Sequence, residues 1–156
     1  MEQNTVGFLK ADPKARYQGY MFYFKEGFCW SDINTTFLKC RKKQKSINDV
    51  KSMSLYSLTD YISEHYIICL INSSFMSYYV DDFVNNTQTF QINDARQIPI
   101  IIPSVEQMNE FEKLFDVATK IKKAELVKQI SENEAEIKLN DIQKTLDKIV
   151  RELYGF

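Results

Sequence analysis

Two apolar, aromatic-rich runs open the pattern: Tyr-Met-Phe-Tyr-Phe over Tyr20 to Phe24, and Phe-Cys-Trp-Ser-Asp-Ile over Phe28 to Ile33. Lys25, Glu26 and Gly27 separate them, which predicts a β-hairpin. Thr35 to Cys40 predicts the next strand, Arg41 to Lys51 a polar loop, and the alternating Met53 to Leu58 another strand. The period then changes. Leu58, Ile62, Tyr66, Cys69 and Leu70 recur at helical spacing, with Thr59 placed to cap the helix. A second short helix is expected from Asn72 or Ser73, closed by Asn85 and Asn86. Thr89 to Ile92 and Ile98 to Ile102 return to strand character.

Pro103 marks a break. Ser104 followed by Gln107 spells a capping box, and Met108, Phe111, Leu114, Phe115, Ala118 and Ile121 follow at helical spacing. Ser131 with Glu134 spells a second box, so the helix is expected to break and restart there. Leu139, Ile142, Leu146, Ile149 and Leu153 then form a heptad seam, and Gly155 is a C-terminal stop. The fold expected is α+β: a small, mixed, strand-rich domain with short helices over 1–103, then a long helix or helical hairpin over 104–156. The seam must be buried against the other arm, the preceding domain or a second copy of the chain, which leaves a homodimer open.

Composition narrows the class. Hydrophobic residues at 44% support a packed core, and four glycines with three prolines among 156 residues argue against low complexity. The net charge of -1 hides an asymmetry. Residues 1–51 carry ten basic against five acidic side chains, whereas 52–103 carry one against five. Cys29, Cys40 and Cys69 are odd in number and lack metal-ligand spacing; Cys29 and Cys69 sit among apolar neighbours and read as small buried hydrophobes, and a reducing, cytoplasmic setting is expected. The amino end lacks a signal-peptide core, and no apolar run reaches the roughly 20 residues of a membrane helix.

No nucleophile elbow, phosphate-binding glycine loop or dinucleotide fingerprint occurs. The single histidine, His65, falls in an amphipathic helix with no orienting partner evident, and Asp81 and Asp82 point apart on a helix. No catalytic residue, metal site or cofactor is assigned, and the chain by itself is not expected to be an enzyme. Binding chemistry remains. Lys39, Arg41, Lys42, Lys43 and Lys45 are candidate phosphate contacts, where each cation releases condensed counterions, or simply a solvated loop. Trp30, Ser31, Asn34, Thr35 and Thr36 lie beside them as candidates to stack on or hydrogen-bond to bases, although Trp30, in an expected strand, suits a core better than a contact. The amides of Asn86 and Gln88 can read base edges, although Asn85 to Gln88 also suit a turn. Arg96 is the remaining candidate contact.

Several of these pieces occur in a familiar order: Gly27 with Trp30 and Ser31; Ile71, Asn72 and Ser73; Ile102, Pro103 and Gln107; and Leu146, Asp147, Val150, Leu153, Tyr154 and Gly155. From about Tyr17 to Phe156 the chain resembles the TaqI-like C-terminal specificity domain, the target-recognition region of adenine-N6 DNA methyltransferases and single-chain restriction–modification enzymes. The joint around Pro103 also resembles that of type I specificity subunits. The resemblance implies a module that docks on double-stranded DNA, largely in the major groove, and selects the sequence to be methylated. It implies helices that fix this module to an adenine methyltransferase catalytic domain, in cis or in trans. The 156 residues contain no Asn-Pro-Pro-Tyr-type motif, so S-adenosylmethionine is expected only in that separate catalytic domain. The competing expectation is a protein-interaction or dimerisation module working through Leu139, Ile142, Leu146, Ile149 and Leu153.

Overall fold

Four consecutive buried residues, Gly27 to Trp30, announce a strand covered on both faces. The computed structural model describes residues 3–15, 20–34, 37–47, 52–56 and 58–156. In it, β1 (Gly27–Ser31) is the middle strand of a three-stranded antiparallel sheet, between β2 (Cys40–Lys43) and β3 (Ser52–Leu55). The register sets Trp30 opposite both Cys40 and Met53, and Phe28 opposite Lys42 and Leu55. Gly27 is required here. A Cβ at this position would lie 2.6 Å from the Leu55 carbonyl oxygen and 2.7 Å from the Tyr56 ring.

The aromatic run before β1 is not a strand. Tyr20–Phe22 forms one 3-10 turn, and Phe24 takes φ 58°, which breaks an extended chain. Phe22 instead stacks on Tyr56 with ring centres 4.8 Å apart. The expected strand over Thr35–Cys40 is also displaced. Its first two residues lie outside the described ones, and the ladder begins at Cys40 and takes in Arg41 to Lys43 from the expected loop. An amino-terminal helix that the pattern did not predict, α1 (Gln3–Ala11), precedes the sheet.

Two short helices follow. In α2 (Glu64–Ile71) the cap is Ser63, whose Oγ accepts from the His65 N–H, not Thr59. In α3 (Ser74–Phe83) the cap is Ser73, which settles the choice between Asn72 and Ser73. α2 lies on β1 and β2 and buries Tyr66, Ile68, Leu70 and Ile71. The expected strand at Thr89 shrinks to one bridge with Ile33, and α4 (Ile92–Ala95) starts at once.

Ile98–Ile102, expected as a strand, joins no ladder. Pro99 removes a donor from within this stretch and Pro103 removes another directly after it. The strap is held from the side: the Tyr66 hydroxyl donates to the Ile101 carbonyl at 2.7 Å, and the Tyr154 hydroxyl donates to the Pro99 carbonyl. Burial raises the pKa of both phenols, that of Tyr154 to about 12, so both remain donors at neutral pH.

The helical hairpin is present. α5 (Val105–Leu126) opens with both halves of the Ser104–Gln107 box, at 3.2 and 2.9 Å. α6 (Glu132–Leu153) opens on Ser131, which accepts from the Glu134 N–H. Both helices close with two overlapping carbonyl-capping bonds. Gly155 serves the second end with φ 83°, and Lys128 serves the first with φ 59°, a conformation that strains an L side chain. Lys128 is exposed, so Lys128→Gly is expected to stabilise the protein by about 1 kcal/mol, read from urea denaturation midpoints. Loss of stability on that change would show that the turn does not hold Lys128 in this conformation.

The two halves share a core. Phe111 from α5 and Leu146 and Val150 from α6 join the cluster that contains Trp30, Tyr66, Leu70 and Met76. Of the expected seam, Leu146 is buried, Ile149 and Leu153 pack on the same cluster, and Leu139 and Ile142 are half-buried. Ala135 and Val150, absent from the heptad reading, are buried too, because the face needed here is wider than a two-position seam. α6 packs on α5 and α3 within one chain.

Candidate nucleic-acid interface

The predicted contacts fall into three groups. The first is exposed on or beside the edge strand β2: Lys39, Arg41, Lys42 and Lys45. β2 is buried at its ends and exposed at Arg41 and Lys42. Arg41 Nη1 donates to Ser31 Oγ at 3.2 Å, and Lys42 lies 3.7 Å from the Glu26 carboxylate.

The second group is internal, and two expected contacts are corrected. Trp30 is 1% exposed; its indole donates to the Phe90 carbonyl at 2.8 Å and its ring packs on Phe90. No face is left for a base. Lys43 is 5% exposed, and its ammonium donates to the carbonyls of Lys25 at 3.0 Å and Ser46 at 2.8 Å, 5.3 Å from the Tyr56 ring centre. It is a clamp on the turn before β1, and a buried lysine is tolerated because its donors are satisfied. The basic-loop reading failed at Lys43 because β2 reaches that residue and the Lys25 and Ser46 carbonyls satisfy its ammonium, whereas Arg41 and Lys42 stay exposed. Thr36 lies outside the described residues.

The third group lines an open cleft of about 310 Å³, bounded by Asn34, Phe37, Tyr78, Asp81, Asn86 and Gln88 among others. Asn86 and Gln88 are exposed at its rim, on a loop that Asn85 holds by donating to the Thr89 carbonyl at 2.9 Å and the Asp94 carboxylate at 3.0 Å. Asn85 is therefore the turn-former of the set. The cleft also presents two aromatic rings that sequence reasoning missed. Phe37 and Tyr78 meet edge to face at 6.1 Å and are 45% and 56% exposed. One signal for Phe37 was available: it precedes Lys39 and Arg41 at intervals of two in an extended segment. Tyr78 is brought there only by the packing of α3.

A polar track joins the basic edge to this cleft. Arg41 binds the Ser31 hydroxyl, the Asn34 amide donates to the Ser31 carbonyl at 3.1 Å, and the Asn34 N–H donates to the Gln88 carbonyl at 2.7 Å. Arg96 stands apart from it, at the end of α4, donating to Asn93 Oδ1 at 3.2 Å.

Behind this surface sits a hydrogen-bonded joint. Asn72, between α2 and α3, faces the free edge of β2: its Oδ1 accepts from the Cys40 N–H at 2.6 Å and its Nδ2 donates to the Cys40 carbonyl at 2.8 Å. One amide thus mimics a neighbouring strand. Ser73 caps α3, and Asp147 from α6 accepts from the Ser74 N–H at 2.8 Å and from Gln143 at 3.0 Å. Gln143 in turn donates to the Asn72 carbonyl at 3.1 Å.

His65 has partners that its sequence context did not reveal. Its Nδ1 lies 2.6 Å from Glu112 Oε2 on α5, its ring stacks on Phe115 at 3.9 Å, and its Nε2 lies 3.5 Å from Lys42 Nζ. Ser63 Oγ donates to the other Glu112 oxygen. Nearby thiols are quiescent: burial pushes Cys40 and Cys69 up to about 12, so both are neutral at physiological pH. Among the described residues no group of three His, Cys, Asp or Glu side chains is placed to hold a metal ion, and no helix is long and apolar enough to cross a membrane. The chain matches no family model, and no curated protein matches it.

Proposed function

We propose that this chain is a sequence-specific DNA-recognition module that serves an adenine methyltransferase catalytic domain and is not catalytic by itself. The observation that carries the reading is the continuous track from exposed cations on an edge strand, through Ser31 and Asn34, to a cleft rimmed by amides and aromatic rings. Cations contact phosphates and supply affinity, whereas amides and rings at base edges supply discrimination. The resemblance to target-recognition regions supports the same assignment, and the residues behind it have structural work to do: Gly27, Asn72, Ser73 and Asp147 build the scaffold and do not face the track.

The test is selection from a randomised duplex library, with the cognate methyltransferase present, followed by binding curves at several salt concentrations. Replacing Lys39, Arg41, Lys42 and Lys45 by Ala together is expected to weaken every sequence alike and to lower the slope of log affinity against log salt by up to about 3.6. Asn86→Ala and Gln88→Ala are expected to relax sequence preference and leave the salt slope unchanged. Lys43 belongs in neither set. A library that shows no enrichment, or a salt slope untouched by the fourfold variant, would sink the assignment.

A further inference from the structure

His65 is the chain's single histidine, and it stands next to the basic edge with its proton-bearing atoms constrained. Glu112 fixes Nδ1 as the donor side at 2.6 Å, which leaves Nε2 facing Lys42 Nζ at 3.5 Å. Side-chain exposures of 41% for Lys42 and 23% for His65 leave the pair open to solvent. With a neutral ring, Nε2 accepts from the ammonium. With a protonated ring, two cationic donors face each other, and that arrangement becomes favourable when an anion lies between them.

We propose that Lys42 Nζ and His65 Nε2 together form a phosphodiester-binding pair, in which contact with the DNA backbone draws a proton onto His65. This rests on the DNA-recognition reading and adds a regulatory term to it, namely binding that strengthens as pH falls. The charged and titratable groups around the ring set the sign. From α5, Glu112 stabilises the imidazolium directly. From β2, Lys42 opposes it, and Glu26 beside Lys42 moderates that opposition. On α2 itself, the amino-terminal position of His65 also opposes the charge, while the Cys69 thiol, near Glu112, is neutral. A bound phosphate oxygen reverses the Lys42 repulsion, because it accepts from both nitrogens at once. Proton uptake and phosphate binding are then reciprocal.

The full chain and a mixed-sequence duplex, at constant ionic strength from about pH 5.5 to about pH 8, test this. Affinity is expected to rise roughly tenfold as pH falls, with the rise absent in His65→Gln. An unchanged rise in His65→Gln overturns the proposal while leaving DNA recognition intact. The wild-type protein provides a measurement that needs no variant, because one histidine gives one imidazole Cε1–H resonance. Its titration midpoint is expected to move up when duplex is added; a midpoint that stays put overturns the proposal. If no duplex binds at any pH, the same resonance is followed with inorganic phosphate. A displacement that is lost in Lys42→Ala keeps the anion site and discards the DNA reading, and no displacement discards both.

Discussion

Asn72→Ala is expected to cost about 3 kcal/mol of stability and to lower the melting temperature by roughly 6–12 °C. The change deletes one amide and strands two backbone groups. The Cys40 N–H and carbonyl lose partners at 2.6 and 2.8 Å, beside a side chain that is itself buried. Each such group left unsatisfied costs about 1–3 kcal/mol, because the hydrogen bond to water lost on folding is no longer replaced. Asn72→Asp is a sharper probe. The carboxylate keeps an acceptor for the Cys40 N–H but meets the Cys40 carbonyl with a second acceptor, so the variant is expected to fall below wild type as well. Thermal melts and urea titrations of the three proteins decide the matter. A loss below about 0.5 kcal/mol for Asn72→Ala would show that water replaces the amide, and the strand-mimic role would be abandoned. The basic edge depends on this contact, since Arg41 and Lys42 follow Cys40 directly in β2.

Leu146→Glu is expected to unfold the protein, and Leu146→Ala to cost roughly 2–5 kcal/mol without changing the oligomeric state. Leu146 is 5% exposed and belongs to the cluster that joins α6 to the sheet and to α2. A charge there has no partner, and truncation leaves a cavity. This separates two roles for the carboxyl-terminal helices. A seam that pairs two chains predicts that Leu146→Ala dissociates a folded dimer, with light scattering falling while the melting temperature holds. A seam closed within one chain predicts the reverse. The contacts favour the second, since the buried face of α6 is already occupied by α5 and α3. A folded, less stable Leu146→Ala protein of unchanged mass is the expected result. Loss of association with stability retained would restore the dimerisation reading.

The accessible surface of the helical pair is elsewhere. Phe83 and Phe156 are exposed beside Phe75, Tyr79 and Tyr154, around an open groove of about 990 Å³ between α3 and the end of α6. Its lining mixes Lys144, Lys148 and Arg151 with Asp82, Asp147 and Glu152. Neither sign dominates, so the groove does not extend the basic edge.

The sequence was most legible where a local rule acts alone. Ser104 with Gln107 forms its box because both partners are three residues apart, and Gly155 adopts φ 83° because a terminal carbonyl cap needs it. β1 was legible from its composition, and its neighbours were legible only in outline. The register between β1 and β2 turned Arg41 to Lys43 from loop into strand and reversed the fate of Lys43. Ile98–Ile102 has strand composition, yet two prolines and two tyrosine hydroxyls make it a strap. The candidate site was half legible. Its cations and amides stand out in the chain, but Phe37 with Tyr78, and His65 with Glu112, are pairs separated by about 40 residues or more, and no local pattern links them.

By itself the sequence determined the helical hairpin, its caps, a buried aromatic strand and an excess of cations in the first third, because these depend on spacing and composition along one segment. Tertiary structure decided which of those cations face water, which aromatic rings are core and which line a cleft, and what holds His65. Those outcomes depend on which side of a strand or helix meets another element. A single residue of register reverses the side, so chain-local information does not contain the answer.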